Sequence, residues 1–212
     1  MNITNECNIE LMSRYEDNHF DLAIVDPPYG ILSTKNIITK RHKNGTKTTN
    51  KKHQEVFWDK KPTKQYFLEL SRVSVNTIIF GANYFVNFLN PSSGWIIWDK
   101  LVSNDVHFAS AEIIYTTFNS SSKIISISPF NNLKGGKDRI HPTQKPVKLY
   151  EWLLINYAKK GDKILDTHLG SGSTAIACHN LGYDLTACEL NEDYYKAAMK
   201  RIERHTAQLR IC

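Results

Sequence analysis

The feature that most constrains the fold of this 212-residue chain is a strand, a glycine-rich turn and a helix that follow one another directly. Lys163–Asp166 has the apolar character of a buried strand, and Ser173–Leu181 has the pattern of a helix. Between them stands Gly170-Ser171-Gly172, where glycine lets the backbone approach a ligand closely at the carboxyl end of the strand. Such a unit predicts an α/β fold that binds a ligand at a strand end.

The rest of the chain repeats this alternation of strands and helices. Short β-branched or aromatic runs predict strands, and helical periodicity predicts the helices between them. The predicted strands are 22–25, 77–80, 95–98, 112–116, 163–166 and 184–188, and the predicted helices are 10–16, 62–74, 146–159, 173–181 and 191–207. We therefore expect one domain, residues 1–212, with a Rossmann-like, doubly wound and mostly parallel sheet.

A second informative motif, Asp26-Pro27-Pro28-Tyr29, ends the apolar run 22–25. Asp26 and the Pro27 carbonyl can each accept one hydrogen of a planar exocyclic amine, which localises the lone pair of that amine for attack on a methyl donor. Proline fixes φ and holds the carbonyl in place, and the Tyr29 ring can stack on a base taken out of a duplex. An ordinary strand-to-turn exit is the alternative interpretation of this tetrapeptide alone.

The glycine turn and the next predicted strand together favour a nucleoside cofactor. Glu189 follows strand 184–188, where a carboxylate can bind two vicinal ribose hydroxyl groups. NAD is bound by the same logic, but the full Gly-x-Gly-x-x-Gly pattern is missing because Ala175 stands at its last glycine position. S-adenosylmethionine therefore fits this sequence better than NAD.

Positive charge is concentrated in one inserted segment. Residues 31–64 carry ten Lys or Arg residues against two acids, a net of +8, whereas the whole chain carries +6. Clustered cations bind the phosphates of a polyanion, so we expect this segment to recognise DNA. A solvated loop without a partner is the alternative. Residues 119–139 are a second candidate recognition loop. The candidate DNA contacts are Lys35, Lys40, Arg41, Lys43, Lys47, Lys51 and Lys52.

With these motifs the chain resembles the amino-methylating DNA methyltransferases of the β group, in which the catalytic motif precedes the cofactor motif. The resemblance also includes Phe80–Tyr84, Trp98–Lys100, Glu112, His141–Pro146 and Glu189–Tyr194. It implies a circularly permuted S-adenosylmethionine-dependent methyltransferase fold, with double-stranded DNA as the partner. The implied catalytic residues are Asp26, Pro27, Pro28 and Tyr29.

The same resemblance implies a set of cofactor-binding residues. Thr143 and Lys145 would meet the carboxylate of the cofactor, and a cationic Lys145 suits that anion. Cys7 or Asn8 stands where the family often places an acid beside the adenine of the cofactor. His168 stands where the family has phenylalanine, so it either packs against the cofactor or is a hydrogen-bonded histidine of the pocket. The complete set is Cys7, Asn8, Asp26, Thr143, Lys145, Asp166, His168, Gly170, Ser171, Gly172, Ser173, Glu189 and Leu190.

The resembled family methylates either adenine N6 or cytosine N4. Asp26 favours adenine, because the cytosine-N4 enzymes more often have serine at that position. We therefore expect a DNA adenine-N6 methyltransferase of a microbial or phage restriction-modification system. The alternatives are cytosine-N4 methylation, a methyltransferase acting on RNA or protein, and a non-catalytic DNA-binding protein that retains the fold. A homodimer is compatible with the short recognition segment.

Other patterns limit the class of protein. The chain has no apolar run of about 18 residues and does not begin with a secretion signal, so we expect a cytoplasmic protein that does not enter a membrane. The four cysteines lack metal-ligand spacing, which predicts free thiols and no metal site. None of them follows a proline, which disfavours the Pro-Cys chemistry of carbon-5 cytosine methylation.

Overall fold

The computed structural model describes residues 1–31, 59–102, 109–130 and 139–207, in which a mixed sheet of eight strands has helices on both faces. The strands are β1 (Asn2–Thr4), β2 (Phe20–Val25), β3 (Ser74–Phe80), β4 (Trp95–Asp99), β5 (Ala111–Thr116), β6 (Lys123–Ser126), β7 (Lys163–Asp166) and β8 (Asp184–Cys188). The helices are α1 (Asn8–Ser13), α2 (Lys64–Val73), α3 (Val147–Tyr157), α4 (Ser173–Leu181) and α5 (Glu192–Thr206). Two short 3₁₀ turns, Ala82–Tyr84 and Val86–Phe88, follow β3.

The strand order explains where ligands can bind. The order is β1-β8-β7-β2-β3-β5-β4-β6, and neighbouring strands from β1 to β3 are parallel. β5 runs antiparallel to both β3 and β4, and the edge strand β6 is parallel to β4. The carboxyl ends of β2, β7 and β8 therefore meet at one edge of the sheet, where β5 begins. This arrangement confirms the predicted doubly wound, mostly parallel sheet.

Successive side chains of the central strand β2 are buried alternately in two separate hydrophobic cores. Leu22 and Ile24 of β2 belong to the core that contains α3, α4 and α5. Ala23 and Val25 belong to the core that contains α1 and α2. This period of two is the geometry of a strand covered on both faces. It gives β2 a rigid position between two helical layers, so the residue that follows it, Asp26, leaves the sheet at a fixed point.

All six predicted strands and all five predicted helices are present, although several bounds differ by a few residues. The strands β1 and β6 were not predicted, and β6 lies inside the stretch 119–139 that was predicted as a loop. Cys178 and Cys188 are buried and Cys7 is half-buried, and all three are free thiols, as predicted. In the described parts of the chain, every helix is too short or too polar to cross a membrane.

Candidate active site

Most of the predicted catalytic and cofactor-binding residues line one cavity at the carboxyl edge of the sheet. The cavity has a volume of about 1250 Å³. Both motifs face it, since Asp26–Tyr29 follows β2 and the glycine turn follows the neighbouring strand β7. Its lining contains the predicted residues Cys7, Asn8, Asp26, Pro27, Pro28, Tyr29, Thr143, Lys145, His168, Gly170, Ser171, Glu189 and Leu190.

Three of the predicted cofactor residues, Asp166, Gly172 and Ser173, are absent from that lining. The Asp166 carboxylate accepts the backbone N–H of His168 at 3.0 Å, and burial raises the pKa of this carboxyl to about 7. Gly172 has a left-handed φ of 75° and begins α4, and the Ser173 hydroxyl donates to the Lys145 carbonyl at 2.7 Å. These residues shape the glycine turn, and direct contacts between them and a cofactor stay a prediction.

The carboxylate of Glu189 is oriented by the backbone around it. Its Oε2 atom accepts the N–H of Gly170 at 2.9 Å, and its Oε1 atom accepts the N–H of Asn191 at 2.9 Å. Burial raises the pKa of this carboxyl, whereas these backbone hydrogen bonds favour its charged form. Each carboxylate oxygen can accept a second hydrogen bond. Glu189 can therefore hold two neighbouring hydroxyl groups at the tip of β8.

His168 belongs to a hydrogen-bonded chain at the other side of the glycine turn. Its Nε2 atom lies 3.0 Å from the Asn8 amide nitrogen, and its Nδ1 atom lies 3.0 Å from the Thr167 hydroxyl. The Tyr66 hydroxyl lies 2.7 Å from the same threonine oxygen. Burial lowers the pKa of His168 to about 3, so the ring is neutral and its Nε2 atom can accept from Asn8. Of the two predicted roles, the geometry matches the hydrogen-bonded pocket histidine.

The catalytic motif is part of a buried network of charges. The Tyr29 hydroxyl lies 2.6 Å from Asp26 Oδ1 and 2.6 Å from Glu112 Oε1. The ammonium group of Lys145 forms ion pairs with Asp26 and, at 3.2 Å, with Glu112. Lys100 pairs with the other oxygen of Glu112 at 3.0 Å. Two carboxylates and two ammonium groups thus balance one another at the cavity wall.

The position of Lys145 bears on the role predicted for it. Its side chain is 5% exposed, and its ammonium group lies within reach of three acceptors, which are Asp26, Glu112 and, at 3.4 Å, the Tyr29 hydroxyl. An ammonium group has three hydrogens. These three oxygens can accept all of them, so the ammonium group is bound within the catalytic motif, and contact with a cofactor carboxylate stays a prediction. Thr143 instead donates its backbone N–H to His141 Nδ1 at 3.3 Å.

The Tyr29 ring is positioned by its neighbours as well as by its hydroxyl group. It stacks on Tyr84, with the ring centroids 5.0 Å apart and an interplanar angle of 17°. It also lies directly against Gly81, where a Cβ atom would be only 2.3 Å from the ring. Gly81 and Tyr84 were noticed in the sequence only as part of the resemblance, and the structure assigns both to the support of Tyr29.

Glu112 and Lys100 were not predicted as site residues, although the sequence contains a signal for both. Glu112 is a charged residue in the otherwise apolar strand β5, and Lys100 directly follows the apolar strand β4. Because β5 is antiparallel to β4, Trp98 pairs with Glu112 in the sheet. The start of one strand and the end of the other therefore meet at the edge that holds Asp26.

The two candidate recognition segments border the same cavity. The predicted DNA contacts between residues 35 and 52 lie outside the described residues, as do residues 131–138 of the second segment. The described flanks of the basic segment, Ile31 and Asp59–Lys61, line the cavity, and the Gly30 N–H donates to Asp59 at 3.0 Å. Pro129 and Phe130 of the second segment also line it. Both segments therefore leave the fold next to the catalytic motif.

No cluster of three or more His, Cys, Asp or Glu residues within the described ranges has the arrangement needed to hold a metal ion. The sheet, the glycine turn and the acidic motif at the end of β2 together have the architecture of a Rossmann-like methyltransferase. A sequence profile of the family described as DNA methylase matches residues 33–200. The chain belongs to this family, the DNA methyltransferases that modify the N6 or N4 amine of a base.

Relatives with known names and structures agree with this assignment. The chain is 23% identical over 242 residues to the Type II methyltransferase M2.MboI of Moraxella bovis, across 95% of this chain and 87% of the relative. The crystal structure of the M1.HpyAVI–SAM complex matches with a TM-score of 0.60 at 18% identity, across 94% of this chain and 98% of that chain. The cytosine-N4-specific PvuII DNA methyltransferase matches with a TM-score of 0.62 at 12% identity, across 96% and 89%. These two structural likenesses show the fold.

Proposed function

We propose that this protein transfers a methyl group from S-adenosylmethionine to the N6 amine of an adenine flipped out of double-stranded DNA. One observation carries the proposal: Asp26 lines the same cavity as the glycine turn and Glu189. An acceptor for an amine and a site for a nucleoside therefore share one space. Shared space is what direct methyl transfer requires, because the reacting atoms must be held close and aligned.

The residues present fit S-adenosylmethionine. Glu189 offers two oriented oxygens to a ribose, and Gly170, with a left-handed φ of 53°, gives close access to the backbone beside it. The Asn8 carbonyl oxygen, on an amide fixed by His168, can accept from an adenine amine. When bound, the cofactor supplies an electrophilic methyl group on a positively charged sulfur. The structurally similar M1.HpyAVI was crystallised in complex with SAM, which supports this choice.

In the proposed reaction, Asp26 and the Pro27 carbonyl accept the two hydrogens of the target amine. This localises the nitrogen lone pair and directs it at the methyl group. Pro27 and Pro28 keep the carbonyl in place because proline fixes φ. Lys145 opposes the effect of burial on Asp26 and favours its ionised form, which is the form that accepts. The Tyr29 ring, supported by Tyr84, offers a surface on which the flipped base can stack.

Cytosine N4 is the second candidate substrate, because the same acceptors fit its amine. The PvuII enzyme is specific for cytosine N4 and has a similar fold, so the fold favours neither base. Asp26 supports adenine through the resemblance described above. Double-stranded DNA as partner is supported by the basic segment 31–64 and by the family. The similarity to M2.MboI, a Type II methyltransferase, supports a role in a restriction-modification system, and genomic DNA as substrate implies a cytoplasmic protein.

The experiment is methyl transfer from labelled S-adenosylmethionine to unmethylated genomic DNA, followed by mass analysis of the nucleosides. We expect N6-methyladenine at one short sequence. N4-methylcytosine would overturn the choice of base, and labelled RNA or protein without labelled DNA would overturn the substrate class.

The variant that tests the mechanism is Asp26→Asn, which we expect to lower kcat by at least about a hundredfold while the cofactor still binds. Its matched control is Asp21→Asn, because Asp21 lies on β2, the strand that precedes Asp26, and its carboxylate accepts the Lys163 N–H at 2.9 Å, away from the cavity. Equal activity of the two variants would contradict the role of Asp26.

A further inference from the structure

The Tyr29 hydroxyl group lies between two carboxyl groups and is close to both. Its oxygen is 2.6 Å from Asp26 Oδ1 and 2.6 Å from Glu112 Oε1. A hydroxyl group has one hydrogen and can donate it to only one of these oxygens. The hydroxyl group can therefore donate to either oxygen in turn. The geometry is therefore that of a hydroxyl group that can pass a proton from one carboxyl group to the other.

The surrounding charges create a difference between the two carboxyl groups. Burial raises the pKa of Asp26, and the nearby charge of Glu112 adds to this, while Lys145 opposes it. Burial acts on Glu112 as well, but Lys145 and Lys100 outweigh it and hold the pKa of Glu112 below its usual value. The other titratable groups around Asp26 are Asp166 at the end of β7, Tyr66 on α2 and Tyr150 on α3.

Glu112 can reach water in the cavity by a route that the substrate does not occupy, whereas Asp26 faces the substrate. Glu112 and Lys100 both line the cavity, and Lys100 pairs with the Glu112 oxygen that does not contact Tyr29. When a target amine occupies Asp26, the direct route from Asp26 to cavity water is covered by the base. The route through the Tyr29 hydroxyl remains, because that group faces Glu112 on its other side.

We propose that Glu112 receives, through the Tyr29 hydroxyl, the proton that Asp26 takes from the methylated amine. This inference rests on the proposed function. After methyl transfer one N–H bond of the product breaks, its electron pair stays on nitrogen, and the proton goes to Asp26. The O–H bond of Asp26 then breaks as Tyr29 takes that proton, and Tyr29 gives its own hydrogen to Glu112. Glu112 releases the proton to water in the cavity, so one proton leaves in each turnover.

The kinetic test compares Tyr29→Phe and Glu112→Gln with the wild-type protein. Both variants keep the size of the side chain but interrupt the route. We expect steady-state kcat to fall at least about tenfold with a larger solvent deuterium isotope effect. The rate constant of a single turnover changes much less, since methyl transfer precedes proton passage. Equal loss in both measurements without a changed isotope effect would indicate a structural role and overturn the relay, as would wild-type rates in both variants.

Matched controls and a measurement that needs no activity complete the test. Tyr195→Phe and Glu151→Gln change partly buried groups outside the cavity and should leave kcat unchanged. In carbon-13 spectra of the free protein, one titration step should move the signals of both Asp26 and Glu112, and in Tyr29→Phe each should move separately. Separate steps in the wild-type protein would overturn the coupling of the two carboxyl groups through Tyr29. Absence of methyl transfer by the wild-type protein would instead overturn the proposed function, and the spectra would still decide whether Tyr29 couples the two carboxyl groups.

Discussion

At the scale of single residues, the support of Tyr29 depends on a position that only glycine fits. Gly81 has a φ of 61°, and a Cβ atom there would lie 2.3 Å from both Cε1 and Cζ of the Tyr29 ring. In Gly81→Ala the ring must therefore move, which breaks its hydrogen bonds to Asp26 and Glu112. We expect methyl transfer to fall at least about tenfold, as measured in the labelled-DNA assay.

Gly182 provides the control for backbone strain at Gly81. Its φ of 76° is similar, but no atom lies within 4 Å of a Cβ placed there. Both alanine variants should lose about 1–2 kcal/mol of stability in thermal unfolding, because left-handed backbone is unfavourable for alanine. Only Gly81→Ala should lose activity. Equal activity of the two variants would mean that the Tyr29 ring does not need its present position.

His168 makes stability depend on pH in a predictable direction. Its pKa in the folded state, about 3, is below the ordinary value of 6.5, so its contribution to stability is present above pH 6.5 and is lost as the pH falls toward 3. His168→Phe removes this contribution. In denaturant unfolding, the free energy of unfolding of the variant should fall by roughly 1–3 kcal/mol less than that of the wild-type protein across this window. This difference is smaller than the full pKa shift implies, because the ring is partly exposed. Parallel curves for the two proteins would show that folding does not shift the pKa of His168.

Other groups titrate in the same range, and the comparison cancels them. Burial lowers the pKa of His141 to about 4 and raises that of Asp166 to about 7, so the two groups affect stability in opposite directions as the pH falls. Both are present in the wild-type protein and in His168→Phe. The loss of the hydrogen bonds to Asn8 and Thr167 shifts the variant equally at every pH, so it does not change the slope.

At the scale of elements, a strand or helix could be predicted when the residues that define it are neighbours in the sequence. The unit β7 and α4 was predicted with its observed bounds, because a buried apolar run, two glycines and a helical pattern follow one another within it. The strands β1 and β6 were missed. They are only three and four residues long and lie at the two edges of the sheet, so pairing with β8 and β4 defines them.

The same reasoning explains which site residues could be predicted. Asp26 and Glu189 follow parallel strands, whose carboxyl ends meet at one edge of the sheet, so their convergence followed from the fold class. Glu112 begins an antiparallel strand. No pattern within β5 reveals its direction, which depends on its pairing with β3 and β4. The partner of the catalytic motif was therefore recognisable only after the topology was known.

Arg201 of the helix α5 supports the cofactor site from outside the cavity lining. Arg201 donates from Nη1 to the Ser171 carbonyl at 2.7 Å and lies 3.0 Å from the Ser173 hydroxyl. In Arg201→Met the packing of the side chain is kept but these hydrogen bonds to the glycine turn are lost. We expect the affinity for S-adenosylhomocysteine to fall about tenfold, measured by calorimetry, because a buried hydrogen bond to a charged group contributes roughly 1.5–3 kcal/mol.

Arg204 serves as the comparison for this variant, since it is exposed on the same helix. Arg204→Met should bind as the wild-type protein does. An Arg201→Met protein with unchanged affinity would show that the glycine turn keeps its shape without the hydrogen bonds from Arg201.

At the scale of the whole molecule, the cavity and the described flanks of the basic segment lie on the same side of the sheet. The cavity lies at the carboxyl edge of the sheet, and the described flanks of the basic segment line it. The segment 31–64 carries a net charge of +8, so the remaining chain carries +6 minus +8, or −2. We expect this division of charge to attract DNA to the basic segment, whose described flanks lie beside Asp26 and Tyr29.

This division of charge predicts that lysines affect DNA binding according to their position and not their number. Changing Lys47, Lys51 and Lys52 together to glutamine should weaken DNA binding and reduce the slope of log K against log salt by up to about three, since each lost phosphate contact contributes about 0.9. The control changes Lys159, Lys160 and Lys163, which are exposed and lie at the opposite edge of the sheet, where β7 begins. The control keeps the wild-type slope, and both variants bind S-adenosylhomocysteine normally. Equal slopes in the two triple variants, measured by fluorescence anisotropy, would mean that DNA is held by general charge and not by the basic segment.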